Sequence, residues 1–150
     1  MPNEAVSVRD LAPEDYPTWR ALWSGYCQFY ETSVPEEVTI HTWNRLLDPG
    51  VDMFARVALL GGEPVAFVHC VVHPATWVVA PTCYLEDLYT RPDHRGKGLG
   101  RTLIEDVLAL CRQRNYARLY WHTDRDNTTA RKLYDQFVPA DDFVRHRIFV

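Results

Sequence analysis

The chain has 150 residues, of which 47% are apolar and 24% charged, an ordinary globular composition at a length that suits one domain, expected to span residues 1–150. Sixteen Lys and Arg against twenty Asp and Glu leave a net charge of −4, which argues against a dedicated nucleic-acid binder and leaves cationic small partners open. No apolar run approaches the ~20 residues of a membrane span, and Met1 to Asp10 lacks the basic-then-apolar pattern of a secretory signal. The expectation is therefore a cytoplasmic protein without a membrane partner. Cys27, Cys70, Cys83 and Cys111 are widely spaced, form no CxxC pair, and read as reduced, buried thiols.

Val6 to Arg9 reads as a brief strand. Pro13, Glu14 and Asp15 suit a helix start, and Trp19, Leu22, Trp23, Tyr26, Phe29 and Tyr30 carry an apolar stripe to about Tyr30. Most of that stripe is expected in the core, with one or two tyrosines near an acceptor pocket. Pro35-Glu36-Glu37 opens a second helix that ends near Leu47, before the Asp48-Pro49-Gly50 breaker. Met53–Leu60 and Pro64–His73 are apolar strands joined by a Gly61-Gly62 hairpin turn, and Thr82–Thr90 is a further strand. A helix over about Gly100–Arg114 buries Leu103, Ile104, Val107, Leu108, Leu110 and Cys111, at spacings of three and four. A strand over Arg118–His122, a helix over Asn127–Phe137 and a final strand over Phe143–Val150 complete a β-α-α-β-β-β-α-β-α-β order. That order predicts a mixed α/β sheet.

The richest chemistry lies in Tyr84-Leu85-Glu86-Asp87-Leu88-Tyr89-Thr90-Arg91-Pro92-Asp93-His94-Arg95-Gly96-Lys97-Gly98-Leu99-Gly100-Arg101. A strand runs into a glycine-rich turn that opens a helix. Glycines let the main chain curl close to a ligand, and a helix start presents unpaired N–H groups with partial positive charge, which together favour phosphate. Arg95, Lys97 and Arg101 add cationic side chains. The GxxxxGK[ST] string of a P-loop is absent, and Gly96, Gly98 and Gly100 do not have the GxGxxG spacing of a dinucleotide fingerprint.

Arg95-Gly96-Lys97-Gly98-Leu99-Gly100 resembles the R/Q-x-x-G-x-G/A signature of the GNAT superfamily of acetyl-CoA-dependent N-acetyltransferases. A second block is similar as well: Leu119-Tyr120-Trp121-His122-Thr123, then Asp126-Asn127-Thr128-Thr129-Ala130-Arg131-Lys132-Leu133-Tyr134. Tyr84 to Tyr89 resembles the corresponding strand of spermidine/spermine N-acetyltransferases. The second block and the aromatic first helix look more like the branch around the yeast histone and D-amino-acid acetyltransferases. The resemblance implies a single-domain α/β fold, its sheet mostly antiparallel with one splayed parallel pair and helices flanking it.

It also implies site roles. Acetyl-CoA would lie between the splayed strands, its pantetheine pairing with Leu88 and Thr90. The N–H of Leu88 or Tyr89 would polarise the thioester carbonyl. Arg95, Gly96, Lys97, Gly98, Leu99, Gly100 and Arg101 would surround the pyrophosphate, while Asn127 and Ala130 would meet the pantetheine arm. Glu86 would attract the ammonium and take its proton, because an alkylammonium is mostly charged at neutral pH. Asp87 would assist in substrate binding. Strict alternation turns it to the opposite face, whereas the bulge common in this superfamily brings both acids to the cleft. Tyr134 would serve the departing thiolate. The acceptor would be a small-molecule primary amine, of polyamine or amino-acid type. The alternatives are a lysine of a protein tail, or a non-catalytic module that binds acyl-CoA. A homodimer is implied by the same analogy.

The other readings of these residues are structural: Glu86 and Asp87 as strand-end acids, Tyr134 as a core aromatic and Asn127 as a helix cap. His69 and His73 share a strand face with Cys70 on the other. Two such ligands do not make a zinc site, and no metal is expected. His122 falls near the expected cleft. Asp142 stands where many superfamily members carry a glycine before the last strand.

Overall fold

The computed structural model describes residues 5–150; residues 1–4 of the N-terminal segment lie outside the described residues. Five strands form one sheet in the order β1-β2-β3-β4-β5. They are β1 (Val6–Asp10), β2 (Met53–Leu60), β3 (Glu63–His73), β4 (Thr82–Thr90) and β5 (Arg118–Tyr120). The first four are antiparallel neighbours, whereas β5 runs parallel to β4. Leu60 pairs with Glu63 across Gly61 and Gly62, whose φ values of 59° and 83° are those of a two-residue type I′ turn.

Helices α1 (Tyr16–Phe29) and α2 (Glu36–Leu47) cover one face, and α3 (Leu99–Gln113) and α4 (Thr128–Tyr134) cover the other. Strand β3 is buried from Pro64 to Cys70, because it sits mid-sheet with helices on both sides. Its alternation divides the core. Phe67 packs with Trp19, Leu22 and Trp43 on the α1/α2 side, while Ala66, Val68 and Cys70 pack with Leu103, Ile104 and Val107 on the α3 side. Fully burying side chains of this kind stabilises by ~1.5–3 kcal/mol each. Cys27, Cys70, Cys83 and Cys111 are free and buried.

The predicted first helix begins instead as a 3-10 turn over Pro13–Asp15, with α1 following from Tyr16. Asp15 accepts the Ala12 amide at 2.8 Å and both arms of the Arg9 guanidinium at 2.6 and 2.9 Å, tying β1 to the helix start. The α3 stripe is buried at Leu99, Leu103, Ile104, Val107 and Cys111; Leu108 and Leu110 flank it, half-buried.

The expected strand over Phe143–Val150 is not formed, and those residues are exposed. Their order explains the difference. Phe143-Val144 and Ile148-Phe149-Val150 stand at the ends and Arg145-His146-Arg147 in the middle, so one face of a strand would carry both arginines and the other His146. Strand β5 ends at Tyr120, two residues short of the expectation.

Candidate active site

Parallel pairing between β4 and β5 covers Thr82↔Arg118, Cys83↔Leu119 and Tyr84↔Tyr120, and stops there. Strand β4 continues to Thr90, held only by β3. Beyond Tyr84 the two strands therefore part, and one edge of β4 opens into a groove. Arg91 N–H donates to the Val65 carbonyl at 2.9 Å. By antiparallel alternation Tyr89 also faces β3, and the main-chain groups of Leu88 and Thr90 face the groove. Of the two candidate thioester contacts, Leu88 has the free N–H direction and Tyr89 does not. Arg95 Nε already donates to the Thr90 carbonyl at 3.1 Å.

The pairing of β3 with β4 slips one residue at this point. His69 faces Asp87 and Cys70 faces Leu85, which leaves Glu86 as an extra residue. Such a bulge resets which side chains face which side. Cys83, Leu85 and Leu88 face α3, whereas Tyr84, Asp87 and Tyr89 face the α1/α2 side. Glu86 stands exposed beside Asp87, close enough for its charge to act on Tyr26, Tyr84 and Tyr120. The opposite-face placement that alternation predicts for Asp87 is thus overturned by the bulge. Although the residue is exposed overall, its neighbours partly desolvate the carboxyl, and this, then the Asp87 charge, pushes it above the usual carboxylate range.

Asp87 is tightly held. Tyr26 donates to Oδ1 at 2.6 Å, and His69 Nδ1 lies 3.0 Å from Oδ2. Trp19 Nε1 donates to His69 Nε2 at 3.0 Å. With Nε2 accepting, the ring proton sits on Nδ1 and points to Asp87. His69 is thus a hydrogen-bonded core histidine, 1% exposed. His73 turns elsewhere, its Nε2 2.7 Å from the Tyr120 hydroxyl. Tyr120 stacks on Tyr84 with centroids 4.9 Å apart, and His122 Nδ1 is 3.3 Å from the Tyr84 hydroxyl. Among the described residues no three His, Cys, Asp or Glu side chains gather as metal ligands.

The glycine-rich turn leads into α3. Gly96 and Gly98 take φ of 79° and 78°, a region that other residues enter only with strain, and Gly98 is the residue before the first helical turn. Helix geometry leaves the N–H groups of Leu99, Gly100 and Arg101 without intrahelical acceptors. A side chain on Gly100 would press on Leu133 of α4 at 3.4 Å and approach Leu88 at 3.9 Å. The cationic side chains diverge from the expected cluster. Arg95 stacks over Phe29 and Tyr89, at 5.3 and 5.6 Å. Lys97 lies 3.3 Å from the His94 ring, and Arg101 lies over Phe137 at 5.2 Å while reaching Glu105 at 3.4 Å. The turn thus offers an anion the α3 main-chain donors and not a converging set of three cations.

Helix α4 crosses the far side of the groove. Asn127 caps it, its side chain accepting the Ala130 amide at 3.2 Å, which leaves the Asn127 amide nitrogen for other contacts. Tyr134 packs edge-on against Trp121, with centroids 5.6 Å apart. Burial pushes its phenol up to about 12, with the Tyr30 hydroxyl adding to the effect. Tyr26 and Tyr30, one turn apart at the end of α1, are the two tyrosines that reach this region. Two hollows flank α1, one of about 290 Å³ beside Pro17, Ala21, Tyr89 and Arg91 and one of about 590 Å³ between Arg20, Cys27 and Val34.

A parted parallel pair, a bulge at the parting and a glycine-led helix start are the frame within which residues 9–137 match the Acetyltransferase (GNAT) family. The chain belongs to this family. It is 33% identical over 149 residues to the D-amino-acid N-acetyltransferase HPA3 of Saccharomyces cerevisiae, covering 98% of this chain and 92% of that one. It is 37% identical over 79 residues to a thialysine N-epsilon-acetyltransferase of Caenorhabditis elegans, covering 53% and 49%. A solved ribosomal-protein-alanine N-acetyltransferase from Brucella melitensis superposes with a TM-score of 0.78 at 25% identity, over 97% of this chain and 100% of that one. The protein is an N-acetyltransferase whose acetyl donor is acetyl-CoA. Its residues fit that donor. The α3 N–H groups suit a diphosphate, the side-chain-free Gly100 leaves room beside Leu88 and Leu133, and the open β4 edge offers amide partners.

Sequence reasoning missed the Trp19–His69–Asp87–Tyr26 chain. Its one available signal was a histidine in an apolar central strand facing the same side as an aromatic helix stripe.

Proposed function

We propose that this N-acetyltransferase moves the acetyl group of acetyl-CoA to the primary amine of a small molecule of amino-acid or polyamine type. The carrying observation is the bulge at Glu86, which sets two carboxylates side by side at the mouth of the groove. A paired negative site attracts an ammonium, and a carboxylate of raised basicity removes its proton. In this reading Glu86 is the base and Asp87 completes the ammonium site. The Leu88 N–H faces the charge that develops on the acetyl oxygen, and Tyr134 faces the departing sulfur. The main-chain donors of the glycine-rich turn and the start of α3, from Gly96 to Arg101, hold the diphosphate, and Asn127 and Ala130 border the pantetheine arm. Bound acetyl-CoA supplies the activated thioester.

The relatives' acceptors support a small amine over a protein lysine: a D-amino acid in one, thialysine in the other. The test is thiol release from acetyl-CoA across D- and L-amino acids, polyamines and histone-tail peptides. Small amines are expected to lead by tenfold or more in kcat/KM. A lead for the peptides overturns the acceptor class. Silence across the panel with normal coenzyme A binding makes the protein a binding module.

A cytoplasmic setting is consistent with four free, buried thiols and with no described helix long and apolar enough to cross a membrane. A homodimer is supported by the exposed Phe143, Val144, Ile148 and Phe149. Light scattering tests it, and a monomer at micromolar concentration refutes it.

A further inference from the structure

Trp19 comes from α1, His69 from the central strand and Asp87 from the residue after the bulge, 50 and 18 positions apart in sequence. Trp19 is fully buried and His69 is 1% exposed. Burying two polar rings is stabilising only when their donors and acceptors are satisfied, and here they satisfy one another in a directed chain that ends on a carboxylate oxygen. An apolar pair of similar volume would fill the space without the hydrogen-bonding requirement. The chain's other end is anchored too: Tyr26 holds the second oxygen of Asp87.

We infer that Trp19 and His69 are positioning residues that fix the Asp87 carboxylate in one rotamer at the mouth of the groove beside Glu86. The indole N–H selects the His69 tautomer, and that tautomer presents Nδ1–H to Asp87. Tyr26 closes the other side, so the carboxylate cannot swing into the sheet or follow the bulge away from the groove. Asp87 then acts on the reaction as a fixed negative neighbour: it attracts the ammonium and keeps Glu86 basic. The groups facing this pair are Tyr26, Cys27 and Tyr30 from α1, Arg45 from α2, His69 from β3, Tyr84 from β4 and Tyr120 from β5. None of the positioning residues touches the acetyl donor's cradle at the start of α3. The inference rests on Glu86 being the base.

The test is a double-mutant cycle read by kcat, by the KM for the amine and by acetyl-CoA affinity. His69→Leu is expected to lower kcat/KM for the amine about tenfold, with acetyl-CoA affinity within twofold of the parent. His69→Gln, whose amide can both accept from Trp19 and donate to Asp87, is expected to restore the rate to within about threefold. In an Asp87→Asn background, His69→Leu is expected to change the rate less than twofold, and Asp87→Asn itself moves the acid limb of the pH–rate profile to lower pH. If His69→Leu does not fold, Trp19→Phe, which removes the indole donor and keeps an aromatic ring, reads the same coupling. Equal losses from His69→Leu or Trp19→Phe with and without Asp87, or a Gln variant as damaged as Leu, overturn the inference. Failure of the underlying reading looks different: Glu86→Gln retains the parental rate, whatever the cycle returns.

Discussion

Replacing Tyr134 by phenylalanine removes one oxygen from a half-buried ring that packs against Trp121. If that oxygen serves the departing thiolate, its chemistry bounds the effect. A thiol of ordinary pKa is about 8.5, so a thiolate leaves with only modest assistance. Burial holds the phenol near 12, which makes full proton transfer to such a thiolate uphill by more than three decades. Tyr134 therefore acts as a hydrogen-bond donor to the developing charge. The expected loss on Tyr134→Phe is about 10- to 100-fold in kcat, the low end of what a positioned acid supplies. Acetyl-CoA affinity is expected to stay within twofold, because the diphosphate donors are main-chain groups of α3. The same variant has a stability signature. The folded phenol binds its proton more tightly than the usual value of 10, so its contribution is present below pH 10 and is lost as pH rises towards about 12. That loss approaches ~3 kcal/mol, at about 1.4 kcal/mol per tenfold change in proton affinity. The phenylalanine variant, with nothing to ionise, is expected to overtake the parent in denaturant unfolding across that window. Steady-state thiol release at pH 7.5 measures the first effect. A kcat within twofold of the parent removes Tyr134 from the reaction.

Gly98→Val forces a β-branched residue to φ 78° at the entry to α3, and is expected to weaken acetyl-CoA binding at least tenfold by calorimetry; normal affinity contradicts the cradle. Glu86→Gln is expected to lower kcat/KM for the amine about 100-fold and to flatten the acid limb of the profile. The base works deprotonated, and its raised proton affinity brings that limb above the ordinary carboxylate range. A rate within threefold of the parent excludes Glu86 as the base. Asp15→Asn breaks the charged pairing with Arg9 and is expected to cost ~1–3 kcal/mol at pH 7 in urea unfolding. Arg9 holds the folded Asp15 carboxyl below its usual value, so the contribution is present above the ordinary carboxylate range and fades as pH falls through the depressed value. The gap between parent and variant is therefore expected to close in acid, and a gap independent of pH refutes the ion-pair origin.

Local chemistry made much of this fold readable. The two glycines between β2 and β3 sit where a type I′ turn needs positive φ at both central positions, and the Leu103-to-Cys111 spacing marks the buried side of α3. The glycine-led helix start was readable for the same reason, since Gly98 and a helix starting at Leu99 are adjacent in the chain. The partners of Asp87 were not readable. Tyr26 lies 61 residues away and His69 18, and only the assembled sheet and helix bring them together. Charge direction was equally hidden. Arg95, Lys97 and Arg101 read as one cluster in the chain, yet aromatic rings and the Thr90 carbonyl draw Arg95 towards α1 while Arg101 lies on Phe137. The C-terminal segment failed as a strand prediction because β-rich composition without period-two alternation gives a sheet no face to bury.

The bulge links the geometry of the groove to its electrostatics. Were Glu86 paired in regular register instead of bulged, β4 would keep the phase set by Cys83 and Leu85. Glu86 would then face the α1/α2 side, and Asp87 would point into the apolar cluster around Leu103 and Ile104, where an unpaired charge is strongly destabilising. The insertion turns Asp87 to the side where Tyr26 and His69 can bond it, and returns Leu88 to the apolar side. It also falls just past the last β4–β5 pair, Tyr84 with Tyr120, where the local twist of a bulged strand increases. Removing Glu86 from the chain would therefore do more than delete one carboxylate. It would set Asp87 directly after Leu85, where regular alternation keeps it on the Tyr26 and His69 side, and it would straighten the strand at the point where the groove opens. A Glu86 deletion is accordingly expected to unfold near the midpoint of Glu86→Gln but to lose at least tenfold in acetyl-CoA affinity, which Glu86→Gln keeps. Parental acetyl-CoA affinity in the deletion variant would show that the bulge does not open the groove.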